Sequence, residues 1–153
     1  MRIISEREIS AGDIVISPRP IWKCRACPMY GKSPSCPPHT PSWKEAKEWV
    51  GHFKKALLIK FEIDYENFDR EKRDAINYLL KKEEEFFKAG YYYAFGLFPG
   101  NCNLCEECSF QRNGECSMPT KVRPSLDAIG IELFKLVKID FNESVLYGLI
   151  LID

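Results

Sequence analysis

The sequence has no excess of charge of either sign. Its 22 Lys and Arg are matched by 22 Asp and Glu, for a formal net charge of +0. That removes any global field for drawing in nucleic acid or an anionic membrane. Long apolar runs are missing too: the longest, Val145 to Ile152, is far short of a membrane span. The first residues, Met1-Arg2-Ile3-Ile4-Ser5-Glu6-Arg7-Glu8, are charged and contain no apolar signal core. No glycine-rich phosphate loop, nucleophile elbow or Ser-His-Asp order is present, and the C-x3-C-x2-C spacing of radical enzymes is absent. There is no internal repeat or low-complexity tract. A cytoplasmic protein with reduced thiols is expected, with neither nucleic acid nor membrane as partner. The 153 residues, 45% hydrophobic and 29% charged, suit a single domain spanning residues 1–153 with a real core.

What the sequence does have is cysteine at motif spacing. Cys102, Cys105, Cys108 and Cys116 read C-x2-C-x2-C-x7-C. Three thiols at steps of three wrap one loop around a point, so each sulfur approaches from a different direction. An iron–sulfur cube needs four such thiolates, and bacterial ferredoxin loops open with the same C-x2-C-x2-C. Inert buried cysteines would not fall at regular steps. Disulfides fit badly, because the three thiols are too close in sequence to pair and seven is an odd number. Zinc is the serious rival, although it usually pairs two separate C-x2-C knuckles.

Cys24, Cys27 and Cys36 form a second set, C-x2-C-x8-C, followed by Pro37-Pro38. Three sulfurs leave a fourth position to explain. It is open to substrate or water, or filled by His39, or the Cys36-Pro37 cysteine serves the other centre, as Cys-Pro cysteines do in two-cluster ferredoxins. Three sulfurs and one imidazole would also make a zinc site. His39 in a proline-rich loop is equally a plain turn residue. His52, beside Gly51, reads as a helix-terminal side chain.

The pattern of elements predicts an α/β (α+β sandwich) fold, with a small mixed sheet of three to four strands and the cysteine loops at one end. Residues 17–43, dense in proline, read as an ordered loop. Ser42 and Glu45 form a capping box for a helix with Ala46, Trp49, Val50 and Phe53 on its apolar stripe. Leu57, Ile59, Phe61 and Ile63 alternate as a strand. A long helix runs from about Asp69 to Ala89, closed by Gly90. Tyr91 to Phe98 and Val145 to Ile152, apolar on both faces, predict central strands. Residues 9–16 add an edge strand, and Ser125 to Lys138 a helix broken near Gly130.

Two charged residues stand out. Glu83 falls on the stripe set by Ile76, Leu79, Leu80, Phe86 and Phe87. It is either a buried acid paired with a loop or with Arg123, or it lies at the wet edge of a narrow stripe. Arg123, in Arg123-Pro124-Ser125, either balances thiolate charge beside the centre or simply precedes a Ser125 cap. The aromatic run Tyr91, Tyr92, Tyr93, Phe95 and Phe98 lacks the basic surroundings of an RNA-stacking face and reads as core. Lys81-Lys82-Glu83-Glu84-Glu85 is mostly a solvated face of mixed charge.

The chain resembles the family of small, uncharacterised predicted metal-binding proteins with two cysteine clusters. The matching pieces are Cys24-Arg25-Ala26-Cys27, Tyr30-Gly31, Cys36-Pro37-Pro38, Glu83, Gly90-Tyr91, Ala94-Phe95, the Cys102 to Cys116 block, Arg123-Pro124-Ser125 and Gly130-Ile131. The resemblance implies a metal site and draws attention to Glu83 and Arg123.

The leading expectation is an iron–sulfur protein. Cys102, Cys105, Cys108 and Cys116, with Arg123 nearby, would hold a [4Fe–4S] cluster. Cys24, Cys27 and Cys36 would hold a second metal centre, so that one or two clusters are bound. The role would be electron transfer or redox support of a partner protein. The rivals are a structural zinc module for protein interaction, and an enzyme using the open metal position with Glu83 as base.

Overall fold

The structure, a computed structural model, describes residues 1–153. Four strands form one sheet: β1 (Arg2–Ser10), β2 (Lys55–Glu62), β3 (Phe95–Leu97) and β4 (Val145–Leu151). Their order is β1-β2-β4-β3, and every pairing is antiparallel, so the sheet is not mixed. Four helices accompany it: α1 (Arg19–Arg25), α2 (Trp43–Val50), α3 (Phe68–Lys88) and α4 (Ser109–Asn113). The fold is α+β.

The two central strands explain the layering. Successive side chains of a strand point to opposite faces. Ala56 and Leu58 of β2 join Leu149 and Leu151 of β4 on one face, packed against Ala46 and Val50 of α2 and against Leu126, Ile129 and Ile131. Ile59 and Phe61 join Ile150 and Ile152 on the other face, under Ala75, Ile76 and Leu79 of α3. A strand covered on both sides must be apolar on both, which is why β4 shows no alternation. Gly96 and Gly148 let α3 come close, since a Cβ on either would overlap the Leu79 side chain.

The capping box that opens α2 forms as expected. The Ser42 hydroxyl accepts from the Glu45 amide at 3.2 Å, and Glu45 returns to the Ser42 amide at 3.4 Å. Replacing Ser42 by Ala should cost about 1 kcal/mol. The check is the urea midpoint, read at an unchanged slope.

Four expectations need correction. The edge strand is β1 at residues 2–10, and residues 11–16 leave the sheet after a 3-10 turn, keeping one bridge from Ile16 to Ile131. An edge strand has one partner and one wet side, so charged Arg2, Glu6, Arg7 and Glu8 are tolerated there and discourage stray pairing. Residues 17–43 are not all loop, because α1 forms there. Its prolines, Pro18 and Pro20, sit at the start, where their missing N–H costs nothing. The Tyr91 to Phe98 strand shrinks to β3, an edge strand. Tyr92 and Tyr93 are 70% and 86% exposed instead of core. They lie in the turn that follows α3. The helix expected over residues 125–138 is two 3-10 turns, Asp127–Ile129 and Leu133–Lys135, separated by Gly130 at φ +88°. A Cβ at Gly130 would strike the Ser17 carbonyl, whose own amide donates to the Gly130 carbonyl at 2.9 Å.

Candidate metal centre

The four-cysteine set lies in a loop whose two ends are tied together. Phe98, just past β3, donates its amide to the Pro124 carbonyl at 2.8 Å, and the Leu126 amide donates to the Phe98 carbonyl at 3.1 Å. Residues 99–124 are thereby closed into one excursion carrying Cys102, Cys105, Cys108 and Cys116. Cys108 stands at the N-cap of α4, and Gly114 ends that helix at φ +80°. The Ser109 hydroxyl donates to the Glu115 carbonyl at 2.8 Å and accepts from the Ser117 amide at 3.2 Å. This folds the chain back, leaving Cys105 Sγ 3.7 Å from Ser117 Oγ, next to Cys116. Arg73 of α3 anchors the loop from below. Its Nε donates to the Asn103 carbonyl at 2.9 Å and its Nη2 to the Cys105 carbonyl at 3.4 Å.

The three-cysteine set, Cys24, Cys27 and Cys36, surrounds the end of α1. Cys24 is in its last turn, and its carbonyl accepts from the Cys27 amide at 3.0 Å. Cys36 is buried, Cys27 is exposed and Cys24 is half-buried. Two buried serines join this loop to the other one. Ser33 Oγ accepts from the Ser35 amide at 3.2 Å and from the Cys102 amide at 3.4 Å. Ser35 Oγ donates to the Arg123 carbonyl at 2.6 Å, and its carbonyl accepts from the Ser125 amide at 3.0 Å. The two thiol sets are therefore neighbours, held by one backbone framework.

Three sulfurs already accept a main-chain N–H from two residues on: Cys27 from Met29 at 3.4 Å, Cys102 from Leu104 at 3.5 Å and Cys116 from Met118 at 3.4 Å. Such bonds favour a thiolate over a thiol. Burial works against them. It pushes Cys24 up to about 11, helped by Asp127, Cys36 and Cys27, and pushes Cys102 up to about 11, helped by Cys108, Cys116 and Cys105. Burial also raises Cys36. Deprotonated thiols there need a cation, and metal binding would release protons. No three His, Cys, Asp or Glu side chains converge on a position for a single ion.

His39 Nε2 is 3.0 Å from the Gly31 carbonyl, and its ring meets the edge of Phe110 of α4 at 4.9 Å. Asp127, by contrast, stands on the 3-10 turn packed against α1. Its carboxyl keeps an exposed edge, yet crowding by the protein raises it. No sequence signal marked it, because the turn brings it to Cys24 only through tertiary packing.

Glu83 is paired, not wet. Its Oε2 accepts from the Gly96 amide at 2.6 Å and from Arg123 Nε at 3.0 Å, and its Oε1 accepts from Arg123 Nη2 at 2.7 Å. The remaining nitrogen of Arg123, Nη1, donates to the carbonyls of Thr120 and Val122, and the guanidinium lies 5.0 Å from the Phe95 ring centre. The fork thus holds the chain leaving Cys116 against α3 and β3.

Lys72, which carries no motif in the sequence, is 2% exposed on α3. Phe68, Lys72, Ala75, Ile76 and Leu79 share one helical face, so the same stripe that marked Glu83 could have marked it. Gly100, at φ +104°, makes room: a Cβ there would stand 3.2 Å from Lys72 Nζ.

The profile of one family, described as Predicted metal-binding protein (DUF2284), matches residues 7–144. The chain belongs to this family. No curated protein and no solved structure matches it. The family match spans both thiol sets together with Lys72, Glu83 and Arg123. Its description agrees with the donors found here, which are soft sulfurs suited to iron, zinc or copper(I) and not to magnesium or calcium. A concavity of about 570 Å³, lined by Met1, Arg2, Glu62 and Glu71 among others, contains no cysteine. No helix is long and apolar enough to cross a membrane.

Proposed function

We propose that this family member is a cytoplasmic iron–sulfur protein that passes electrons to or from a partner protein, the whole chain acting as one metal-binding domain. Cys102, Cys105, Cys108 and Cys116 hold a [4Fe–4S] cluster. Cys24, Cys27 and Cys36 hold a second centre, with Asp127 or an exchangeable ligand at the fourth position. Arg123 serves the first centre by fixing the chain after Cys116.

The observation that carries this reading is the closed 99–124 loop, which carries four cysteines and has main-chain N–H groups already aimed at the sulfurs of two of them. N–H···S bonds and an apolar surround are the usual means by which a protein tunes a cluster. Such a cluster supplies one-electron chemistry when bound. A tetrahedral zinc would need its sulfurs about 3.8 Å apart, from a Zn–S bond of about 2.3 Å, whereas a cube gives each thiolate its own iron and suits three thiols at steps of three on one loop.

Zinc remains the second reading, favoured by the C-x2-C knuckle of Cys24 and Cys27. Metal and acid-labile sulfide quantification on protein isolated without air separates the two. Brown protein with equal iron and sulfide, at four or more of each per chain, is the expected result. Colourless protein with stoichiometric zinc and no sulfide would overturn the iron reading. Air must be excluded, because vacated thiolates take up zinc.

A further inference from the structure

Lys72 presents an energetic problem that its immediate contacts do not solve. Its ammonium is buried, and its hydrogen bond goes to the neutral Asn101 Oδ1 at 2.8 Å. None of the nine ion pairs in the structure includes it. A buried ammonium with one neutral partner is strongly unfavourable unless negative charge lies nearby. Burial pushes it down to about 8, and the groups whose charge works against that are Cys36, Cys102, Asp69 and Cys27. Of these, Asp69 is on its own helix and already accepts from Asn103 Nδ2 at 3.3 Å. The others are sulfurs, drawn from both thiol sets.

Its placement is built rather than incidental. Asn101 immediately precedes Cys102, so the residue that holds Nζ is part of the second cysteine loop. Ser33 Oγ, three residues before Cys36, bonds the Cys102 amide. Gly100 keeps the space over Nζ open, and the Phe68 ring lies 5.5 Å away. Lys72 therefore rises from α3 into the seam where the two loops meet.

We propose that Lys72 is the counter-charge shared by the two metal centres, coupling them electrostatically and making both easier to reduce. This rests on the iron–sulfur reading above. When a centre takes up one electron from an external one-electron reductant such as dithionite, no bond forms or breaks and its net negative charge grows by one. A fixed positive charge beside it stabilises that reduced form. Because Lys72 is held by Asn101, next to Cys102, and the Cys102 amide bonds Ser33 of the loop that carries Cys36, its removal is felt by both centres. A surface lysine would be screened by water and salt, whereas this one is not. Lys72 acts here as a positioning charge and touches no reacting atom.

The test compares full-length wild type with Lys72→Met and Lys72→Arg, all isolated without air. Redox titrations followed by electron paramagnetic resonance give the potential of each centre. In Lys72→Met the reduction equilibrium of both centres should become at least tenfold less favourable, a fall of about 59 mV or more for a one-electron couple. Lys72→Arg, which keeps the charge, should stay near wild type. A shift in one centre alone, or in neither at unchanged iron content, overturns the proposal. If Lys72→Met loses metal while Lys72→Arg keeps it, charge is again responsible. Equal loss in both variants makes the role one of packing and overturns the proposal.

Should wild type contain zinc and no iron, the iron reading fails separately. The readout for Lys72 is then zinc retention against a competing chelator. At least tenfold weaker retention at both thiol sets in Lys72→Met supports the shared counter-charge, and unchanged retention refutes it.

Discussion

A Cys108→Ser protein prepared without air should lose one metal centre and keep the other. Serine is a far weaker ligand, because its hydroxyl stays protonated where a metal-bound thiol does not. Cys108 belongs to the closed 99–124 loop, and Cys24, Cys27 and Cys36 lie on a separate segment around α1. With two clusters bound, roughly half the iron and half the visible absorbance should disappear. The framework gives the surviving half a reason to persist. Ser33 and Ser35 meet the second loop through the Cys102 amide and the Arg123 carbonyl, neither of which involves the Cys108 side chain. Iron and sulfide counts on the variant, with its absorption spectrum, decide the matter. Loss of both centres would mean that Cys36 or Cys108 serves across the seam, and the division into four and three would be abandoned.

Replacing Glu83 by Ala should destabilise the protein by about 3–5 kcal/mol, the usual cost of breaking a buried pair by removing one partner. The pair is well shielded, with the Glu83 and Arg123 side chains 14% and 16% exposed. Removing the carboxylate strands a guanidinium against the Phe95 ring and leaves the Gly96 amide without its acceptor. Glu83→Gln should cost less, because an amide oxygen can still accept from Gly96, though the charge pairing is lost. Urea unfolding of the two variants gives both values. A change under about 0.5 kcal/mol in Glu83→Ala would place this carboxylate among ordinary surface groups and restore the wet-edge reading. Metal content should fall less in Glu83→Gln than in Cys108→Ser, since Glu83 positions the chain after Cys116 and donates nothing to a metal.

The elements that could be read in advance share a cause. α2 announced itself through Ser42 and Glu45, whose bonding is local. α3 did so through a stripe sustained over 21 residues, and β4 through an apolar run bounded by polar residues. Those that escaped depend on partners distant in sequence. β1 looks like a charged loop until β2 pairs with it from Lys55 to Glu62. The run from Tyr91 reads as strand throughout, but only Phe95 to Leu97 pair within the sheet, opposite Leu149 to Leu151. In the 125–138 segment, helical periodicity yields to Gly130, where Ser17 and Trp43 press too closely for any other residue.

The same division runs through the site. The candidacy of soft sulfur donors on two segments, and of Glu83 and Arg123, follows from spacing and residue type alone, because one loop with thiols at steps of three has few ways to arrange them. Tertiary structure decided everything that joins segments distant in the chain: the pairing of Glu83 with Arg123, the serine bridge between the loops, the approach of Asp127 to Cys24, and the burial of Lys72 in the seam. Charge and burial are properties of three-dimensional neighbourhoods. A lysine four residues from a phenylalanine looks ordinary on paper, and becomes an unpaired cation only once a glycine 28 positions later folds over it.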